Sequence, residues 1–197
     1  MARHTSALVS DRTALLLMDF QKPLLEALPD PDRILAGAQR AQRVAQAAGI
    51  REVHVRVAFT PEDYAAVPSH NKAFASVAET RALAAAEPAN DVHPVLRSNA
   101  DTRTVTKTRV GAFSTTSLDS LLREQGIDTL ILAGIFTSGV ILSTVRDAAD
   151  RDYRLLVLSD VCGDPDTELH HTLMQSVLPM QADILDVASF EATVRTA

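Results

Sequence analysis

Two charged residues stand at the ends of apolar runs, where acid–base chemistry could be positioned. Asp19 directly follows five apolar residues in the run ALLLM. A partly desolvated carboxylate there would bind protons more tightly and act as an acid or a base, or it could simply cap the following turn. Lys107 ends the run RTVTK, where an ammonium could hold a developing oxyanion or be a solvated lysine on an edge strand. Arg109 is open to the same two interpretations.

The turn from Gly134 to Val140 follows the apolar run TLILAG and precedes a helical pattern. A turn of this kind often carries a nucleophile, but here it offers Thr137 and Ser138 and no cysteine. A hydroxyl nucleophile needs a neighbouring base, and no histidine is adjacent in sequence. Capping of the following helix is therefore the simpler interpretation of both hydroxyls.

The remaining residues with reactive side chains are assigned mostly structural roles. Cys162, the only cysteine, lies in DVCGDPD, interpreted as a loop whose acidic residues raise a thiol pKa, so we treat it as structural. His54 lies inside a strand and is expected to pack in the core, whereas His70 could touch a ligand. The pair His170 and His171 is expected on the surface of a helix.

The sequence offers no recognisable metal or cofactor site. Asp63 and His70 lack a third ligand at a metal-binding spacing. No glycine-rich phosphate loop or dinucleotide fingerprint is present. We therefore expect neither a metal nor a cofactor.

Composition limits the class of protein. The chain has 197 residues, is 46% hydrophobic and carries a formal net charge of −6, which fits one compact domain over residues 1–197. The first thirteen residues contain no apolar leader segment, and no run approaches the ~20 apolar residues of a membrane span. The lack of a Lys/Arg cluster disfavours nucleic acid. The single cysteine excludes an internal disulfide and a cysteine-based metal site, so a cytoplasmic protein is expected.

Apolar runs alternate with amphipathic segments along the chain. Runs without polar alternation predict strands covered on both faces, as in a parallel sheet; they are 14–18, 53–59, 129–134 and 154–158. Helical spacing predicts helices over 32–49, over 117–126 with Ser117 as cap, over 140–151 and over 167–178. This alternation predicts an α/β layered fold with right-handed crossovers.

Ligands of open parallel sheets bind beyond the carboxyl ends of the strands. We therefore expect five places along the chain to meet at one edge: Asp19, Phe59 with Thr60, Lys107, the turn 134–140, and residues 160–162. The irregular stretch 60–102, rich in Pro, Asn and His, is long enough to cover a substrate.

Over nearly its full length the chain resembles the isochorismatase-like hydrolase superfamily, also known as the cysteine hydrolase family. The matching stretches are LLLMDFQ (15–21), the segment 106–153 beginning TKTRVGAF, and LLVLSDVCGD (155–164). The resemblance implies a Rossmann-like three-layer α/β/α sandwich with a mainly parallel sheet of about six strands. It also implies a homodimer or homotetramer and a cis peptide between Ile135 and Phe136.

The resemblance assigns roles to particular residues. Asp19 and Lys107 align with the Asp and Lys of the cysteine-dependent members, and Val140 stands at the position of the catalytic cysteine. The metal-binding cluster of nicotinamidases does not match TPEDYAAVPSH (60–70). Isochorismatases of this superfamily that lack the cysteine hydrolyse a vinyl ether by acid–base chemistry. The resemblance to them implies the same kind of reaction here, with Asp19 as the proton donor.

The expected function is therefore hydrolysis of a small organic molecule by Asp19 and Lys107 without a cysteine nucleophile. Two alternatives remain: a catalytically inactive binding or scaffold protein, and an amidohydrolase that uses Ser138. The residues expected to line the substrate pocket are Phe20, Gln21, Phe59, Asn71, Ile135, Phe136, Thr137 and Ser138.

Overall fold

The computed structural model describes residues 8–97 and 102–195 of the chain. Six parallel strands form one sheet in the order β3-β2-β1-β4-β5-β6. The strands are β1 (Thr13–Met18), β2 (Arg51–Val57), β3 (Arg103–Lys107), β4 (Thr129–Ile135), β5 (Arg154–Gly163) and β6 (Asp183–Leu185). The α/β fold with a parallel sheet of six strands confirms the expectation from sequence.

Eight α-helices connect or flank the strands within the described residues. They are α1 (Lys22–Leu25), α2 (Pro31–Ala47), α3 (Pro61–Ala65), α4 (Ala75–Thr80), α5 (Leu118–Glu124), α6 (Leu142–Asp150), α7 (Thr167–Thr172) and α8 (Val187–Arg195). No helix among them is long and apolar enough to cross a membrane.

Helices cover both faces of the sheet, and the strand residues alternate between them. Leu16 and Met18 of β1 face a core shared with α5 and α6. Leu15 and Leu17 face the opposite core, which includes Ile34 and other residues of α2 and α8. Burial on both faces explains why the strands read as unbroken apolar runs.

The strand order reverses between β1 and β4. From β1 the chain builds outward through β2 and β3, whereas β4, β5 and β6 build outward on the other side. Open α/β sheets bind ligands at the carboxyl ends of the strands where such a reversal occurs. Asp19 follows β1 and the turn 134–140 begins at the end of β4, so both lie at this edge of the sheet.

Several local expectations need correction. Cys162 lies in β5 rather than in a loop, because β5 continues to Gly163. Ser117 occupies the cap position of α5, but its side chain makes no capping hydrogen bond; Thr116 Oγ1 instead accepts from the Leu118 N–H at 3.2 Å. The helix predicted over 140–151 is α-helical over Leu142–Asp150, and its first two predicted residues belong to a π-helical turn, Thr137–Ile141.

The segment expected to be irregular, 60–102, contains α3, α4 and two 3₁₀ turns, and its residues 98–101 lie outside the described residues. It is tied to the carboxyl edge of the sheet by backbone hydrogen bonds. The Phe59 N–H donates to Leu83 O at 2.9 Å, and the His93 N–H donates to Phe20 O at 2.8 Å. The segment therefore lies directly over the ends of β1 and β2.

Candidate active site

Asp19 is held at the end of β1 in an uncommon backbone conformation. Its φ is +62°, in the left-handed region that few residues other than glycine adopt, and its N–H donates to Val55 O at 2.7 Å. The residue is only 4% exposed. The alternative interpretation as a turn cap fails, because Asp19 Oδ2 contacts Lys107 Nζ at 2.7 Å.

Lys107 is the last residue of β3, an edge strand, yet it is 2% exposed. Its Nζ forms the ion pair with Asp19 and donates to Arg109 O at 3.2 Å. The interpretation of Lys107 as a solvated lysine on an edge strand is therefore wrong. The sheet brings together the two side chains on which the acid–base prediction depends.

The electrostatics of Asp19 suit proton transfer near neutral pH. Burial raises the pKa of its carboxyl from an ordinary value of 3.8 to about 6, since desolvation outweighs the attraction of Lys107. Asp19 Oδ1 is buried and has no hydrogen-bond partner among the described residues. One oxygen is thus paired with an ammonium, whereas the other is buried without a hydrogen-bond partner among the described residues.

The end of β4 passes very close to β1. A Cβ at Gly134 would lie 2.7 Å from Met18 O and 3.0 Å from Met18 Cβ, so only glycine fits there. The peptide between Ile135 and Phe136 is cis, as the family resemblance implies. Val140 packs into the core and is 2% exposed. Its Cγ1 would lie 3.3 Å from a Cβ placed on Gly134. An apolar side chain therefore occupies the place that the resemblance assigned to the family cysteine.

The turn after β4 is held by side-chain hydrogen bonds to the end of β5 and to the residues that follow it. Asp164 Oδ2 accepts from both the N–H and the Oγ of Ser138, at 2.8 and 2.7 Å. Thr137, which is fully buried, donates from Oγ1 to Gly163 O at 3.2 Å, and the same oxygen lies 2.8 Å from His170 Nδ1. Sequence reasoning missed Asp164 and His170, because no spacing links them to a turn 26 to 33 residues earlier in the chain.

His170 is half-buried rather than on the open surface of its helix. Burial lowers the pKa of its imidazole, and the neighbouring His171 adds to the effect. The surface interpretation is therefore wrong for His170 and holds for His171, which is exposed.

Other residues predicted to line the pocket make contacts of their own. The Gln21 side chain is fully buried, donating to Val57 O at 2.9 Å and Asn90 O at 2.7 Å. Asn71 Oδ1 accepts from the N–H groups of Ala73 and Phe74 before α4. Their contact with a substrate stays a prediction.

The aromatic and aliphatic members of that predicted set are mostly in the core. Phe20 and Ile135 pack on the α2 face of the sheet, with Phe136 partly buried against them. Phe59 belongs to a third apolar cluster with Val57 and Phe74, at the carboxyl edge.

The thiol and the remaining histidines are consistent with structural roles. Cys162 is 1% exposed, and burial raises the pKa of its thiol to about 12; the acidic Asp160 contributes less than this desolvation. His54 is buried in β2, as predicted, and His70 is exposed on the covering segment. Asp63 caps α3 through a hydrogen bond from the Thr60 N–H at 2.9 Å.

Comparison with known sequences settles the family. A family model described as the isochorismatase domain matches residues 13–189, most of the chain. The chain belongs to the isochorismatase family. Its only cysteine, Cys162, lies in β5, whereas Val140 lies in the π-helical turn that follows β4.

Individual relatives agree with this assignment. The uncharacterized isochorismatase family protein YecD of Escherichia coli O157:H7 is 29% identical over 180 residues, covering 89% of this chain and 92% of YecD. The ureidoacrylate amidohydrolase RutB of Methylobacterium radiotolerans is 36% identical over 89 residues, but the match covers only 45% of this chain and 34% of RutB.

Solved structures of the isochorismatase family share the fold. The crystal structure of a cysteine hydrolase from Pseudomonas syringae pv. phaseolicola 1448A aligns over 100% of this chain and 99% of that chain with a TM-score of 0.88. At 21% identity, this likeness shows the fold alone.

Proposed function

We propose that this isochorismatase-family protein hydrolyses a small organic molecule by acid–base chemistry at Asp19, without a covalent intermediate. The observation that carries the proposal is the buried Asp19–Lys107 pair at 2.7 Å, with the pKa of Asp19 raised to about 6. A carboxyl with a pKa near the working pH is an effective proton donor. The valine at position 140 leaves no thiol to attack a carbonyl at that place.

The reaction that suits this arrangement is hydrolysis of an enol ether. Asp19 gives its proton to the terminal enol carbon, and an oxocarbenium ion forms. Water adds to that ion and returns a proton to Asp19, and the resulting hemiketal releases an alcohol and a ketone. Lys107 holds the polar end of the substrate and keeps Asp19 Oδ2 fixed, so that Oδ1 faces the reacting carbon.

Hydrolysis in D₂O tests this chemistry directly. A panel of isochorismate, simple enol ethers and small amides is incubated with the protein, and the products are analysed by mass spectrometry. Protonation at carbon places one deuterium on the carbon next to the new carbonyl group, whereas amide hydrolysis places none on carbon. Turnover without carbon-bound deuterium would overturn the enol ether mechanism.

Substitution of Asp19 identifies the donor. Asp19→Asn should lower the turnover rate by about 10²- to 10⁴-fold, the usual contribution of a positioned general acid. Asp32→Asn, at an exposed acid in the first turn of α2, is the matched control and should leave the rate unchanged. Circular dichroism must show that Asp19→Asn is folded, because it leaves the Lys107 ammonium buried without a carboxylate.

A second candidate is an amidohydrolase that uses Ser138. It is favoured by one distance, the 2.7 Å between Ser138 Oγ and the carboxylate of Asp164, which could act as a base. The same carboxylate oxygen also accepts from the Ser138 N–H, as a helix cap does. Ser138→Ala separates the candidates: it abolishes turnover only if the serine attacks the substrate.

The third candidate, a scaffold without activity, is favoured by the apolar packing of Val140 and Ile141. Against this candidate, a buried ion pair often contributes little net stability, because both charges are desolvated. A chemical role therefore explains the Asp19–Lys107 pair better than stabilisation does. Absence of turnover over the whole panel would favour the scaffold.

We also propose that residues 1–197 form one domain, and that the protein is a cytoplasmic homodimer or homotetramer, as the family resemblance implies. Light scattering coupled to size-exclusion chromatography measures the subunit number.

A further inference from the structure

Three cations lie on or just beyond the neighbouring strands β2 and β3, and their partners differ. Arg56 Nη1 lies 3.1 Å from Asp91 Oδ1, and Lys107 is paired with Asp19. Arg109 has no carboxylate within 4.0 Å among the described residues; its Nη1 donates only to the neutral Thr108 carbonyl, at 2.6 Å. Arg109 is half-buried, so its positive charge is partly desolvated, and no described carboxylate neutralises it.

The backbone places Arg109 next to the candidate active site. Its carbonyl oxygen accepts the hydrogen bond from Lys107 Nζ at 3.2 Å. The next residue, Val110, has its Cγ1 3.9 Å from the position of a Cβ on Gly139, in the turn after β4. The segment 107–110 therefore connects the ion pair to this turn.

The Arg109 side chain also contacts the apolar part of the covering segment. Its guanidinium carbon lies 5.9 Å from the centre of the Phe74 ring, and Phe74 packs against Phe59 with ring centres 5.7 Å apart. Stacking on an aromatic face holds a guanidinium in place and leaves its edge free to bind. The free edge can then pair with a carboxylate through two parallel hydrogen bonds.

The charges of the site limit the substrate that it can bind. Above pH 6, where Asp19 is ionised, Asp19 and Lys107 neutralise each other, so together they offer no net charge to an anionic substrate. The neighbouring cluster of Val57, Phe59 and Phe74 is apolar. Burial of a carboxylate in such surroundings is unfavourable unless a cation pairs with it, and one unpaired guanidinium suffices for one carboxylate.

We propose that Arg109 binds a single carboxylate of the substrate, which makes the substrate a small monocarboxylic acid. The position of the scissile bond beside Asp19 rests on the proposed function, whereas the carboxylate contact does not. Arg109 is thus a specificity-determining residue: it selects anionic over neutral molecules and disfavours dicarboxylates, whose second charge would stay unpaired.

Binding of three four-carbon probes tests the inference on the intact protein. Butanoate, succinate and butane-1,4-diol carry one, two and no carboxylates, and none has a bond that a hydrolase cleaves. Nuclear magnetic resonance titrations give their dissociation constants for the wild type, Arg109→Gln, Arg109→Lys and Lys72→Gln. Lys72 is an exposed cation of the covering segment, two residues before Phe74, and serves as the matched charge-removal control.

Butanoate should bind the wild type more tightly than succinate or the diol do. Arg109→Gln should weaken butanoate binding by about tenfold or more, the effect expected on losing a hydrogen bond to a charged group. Arg109→Lys should give an intermediate loss, because it keeps the charge but not the two-pronged geometry. Lys72→Gln should change nothing, and the diol should be insensitive to all three substitutions.

Unchanged butanoate affinity in Arg109→Gln would overturn the inference, as would equal affinity of the wild type for butanoate and the diol. Absence of saturable butanoate binding would also overturn it. Since no probe is hydrolysed, these outcomes are independent of whether the hydrolase proposal succeeds. Turnover combined with an insensitive Arg109→Gln would reject the carboxylate contact alone.

Discussion

The Lys107 ammonium lies 2.7 Å from Asp19 Oδ2, although strand β2 separates the strands that carry the two residues. Lys107 is the last residue of β3 and Asp19 the first after β1, so both side chains reach over the end of β2. An ion pair in this position is shielded from water. Electrostatic interactions are stronger there, because the effective dielectric constant is lower than in water. The pair therefore supplies the acid–base group on which the proposed chemistry depends.

The pH dependence of turnover should report the protonation of Asp19. Since a proton donor must be protonated in the free enzyme, kcat/KM should be greatest below pH 6 and fall by about tenfold per pH unit above it. The measurement is kcat/KM from pH 5 to 8 on the enol ether identified by the panel. A rate that rises with pH through 6 would assign Asp19 the role of a base instead.

The same raised pKa predicts a stability change of defined sign. Between 3.8 and about 6 the folded protein holds a proton on Asp19 that the unfolded chain releases. Asp19 therefore favours the folded state most at low pH, and this contribution is lost as the pH rises through 6. Urea denaturation of the wild type and Asp19→Asn across this range should show the pH slope of Asp19 only in the wild type.

Gly134→Ala should destabilise the protein at the contact of β4 with β1. The new methyl group would lie 2.7 Å from the Met18 carbonyl oxygen, which belongs to backbone and cannot move aside. A loss of about 1–3 kcal/mol in the free energy of unfolding is expected from such overpacking. Gly111→Ala is the control, since its methyl group would meet its nearest atom at 3.5 Å, an ordinary contact.

Val140→Ala should lower stability and preserve turnover. Removal of two buried methyl groups should lower the free energy of unfolding by about 1–3 kcal/mol. Val145→Ala removes the same groups from the same core cluster, away from the turn, and should cost a similar amount. If Val140→Ala loses turnover while Val145→Ala keeps it, the side chain at position 140 acts in the reaction and the assignment to Asp19 alone is wrong.

Thr137→Val should destabilise the turn after β4 without changing its shape. The substitution removes the hydroxyl that contacts Gly163 O and His170 Nδ1 inside the protein. Loss of a buried hydrogen-bonding group lowers stability by about 1–3 kcal/mol. Thermal denaturation should rank the wild type above Thr137→Ser, and Thr137→Ser above Thr137→Val; equal melting temperatures for the two variants would show that the hydroxyl contributes nothing.

The sequence by itself determined the layered α/β fold and the edge of the sheet where the site lies. Strands buried on both faces require continuous apolar runs, and parallel strands bring their carboxyl ends to one edge. Asp19, Lys107 and the turn 134–140 could therefore be placed together from the order of strands and helices alone. The family resemblance added the cis peptide between Ile135 and Phe136, which the structure contains.

Only the tertiary structure decided the state of each side chain at that edge. Burial, which depends on contacts between distant segments, made Lys107 an ion-pair partner rather than a solvated lysine and raised the pKa of Asp19. The contacts of Asp164 with Ser138 and of His170 with Thr137 span 26 and 33 residues, beyond any local pattern. Sequence periodicity reports which face of an element is buried, whereas the chemistry of a site depends on which atoms then meet.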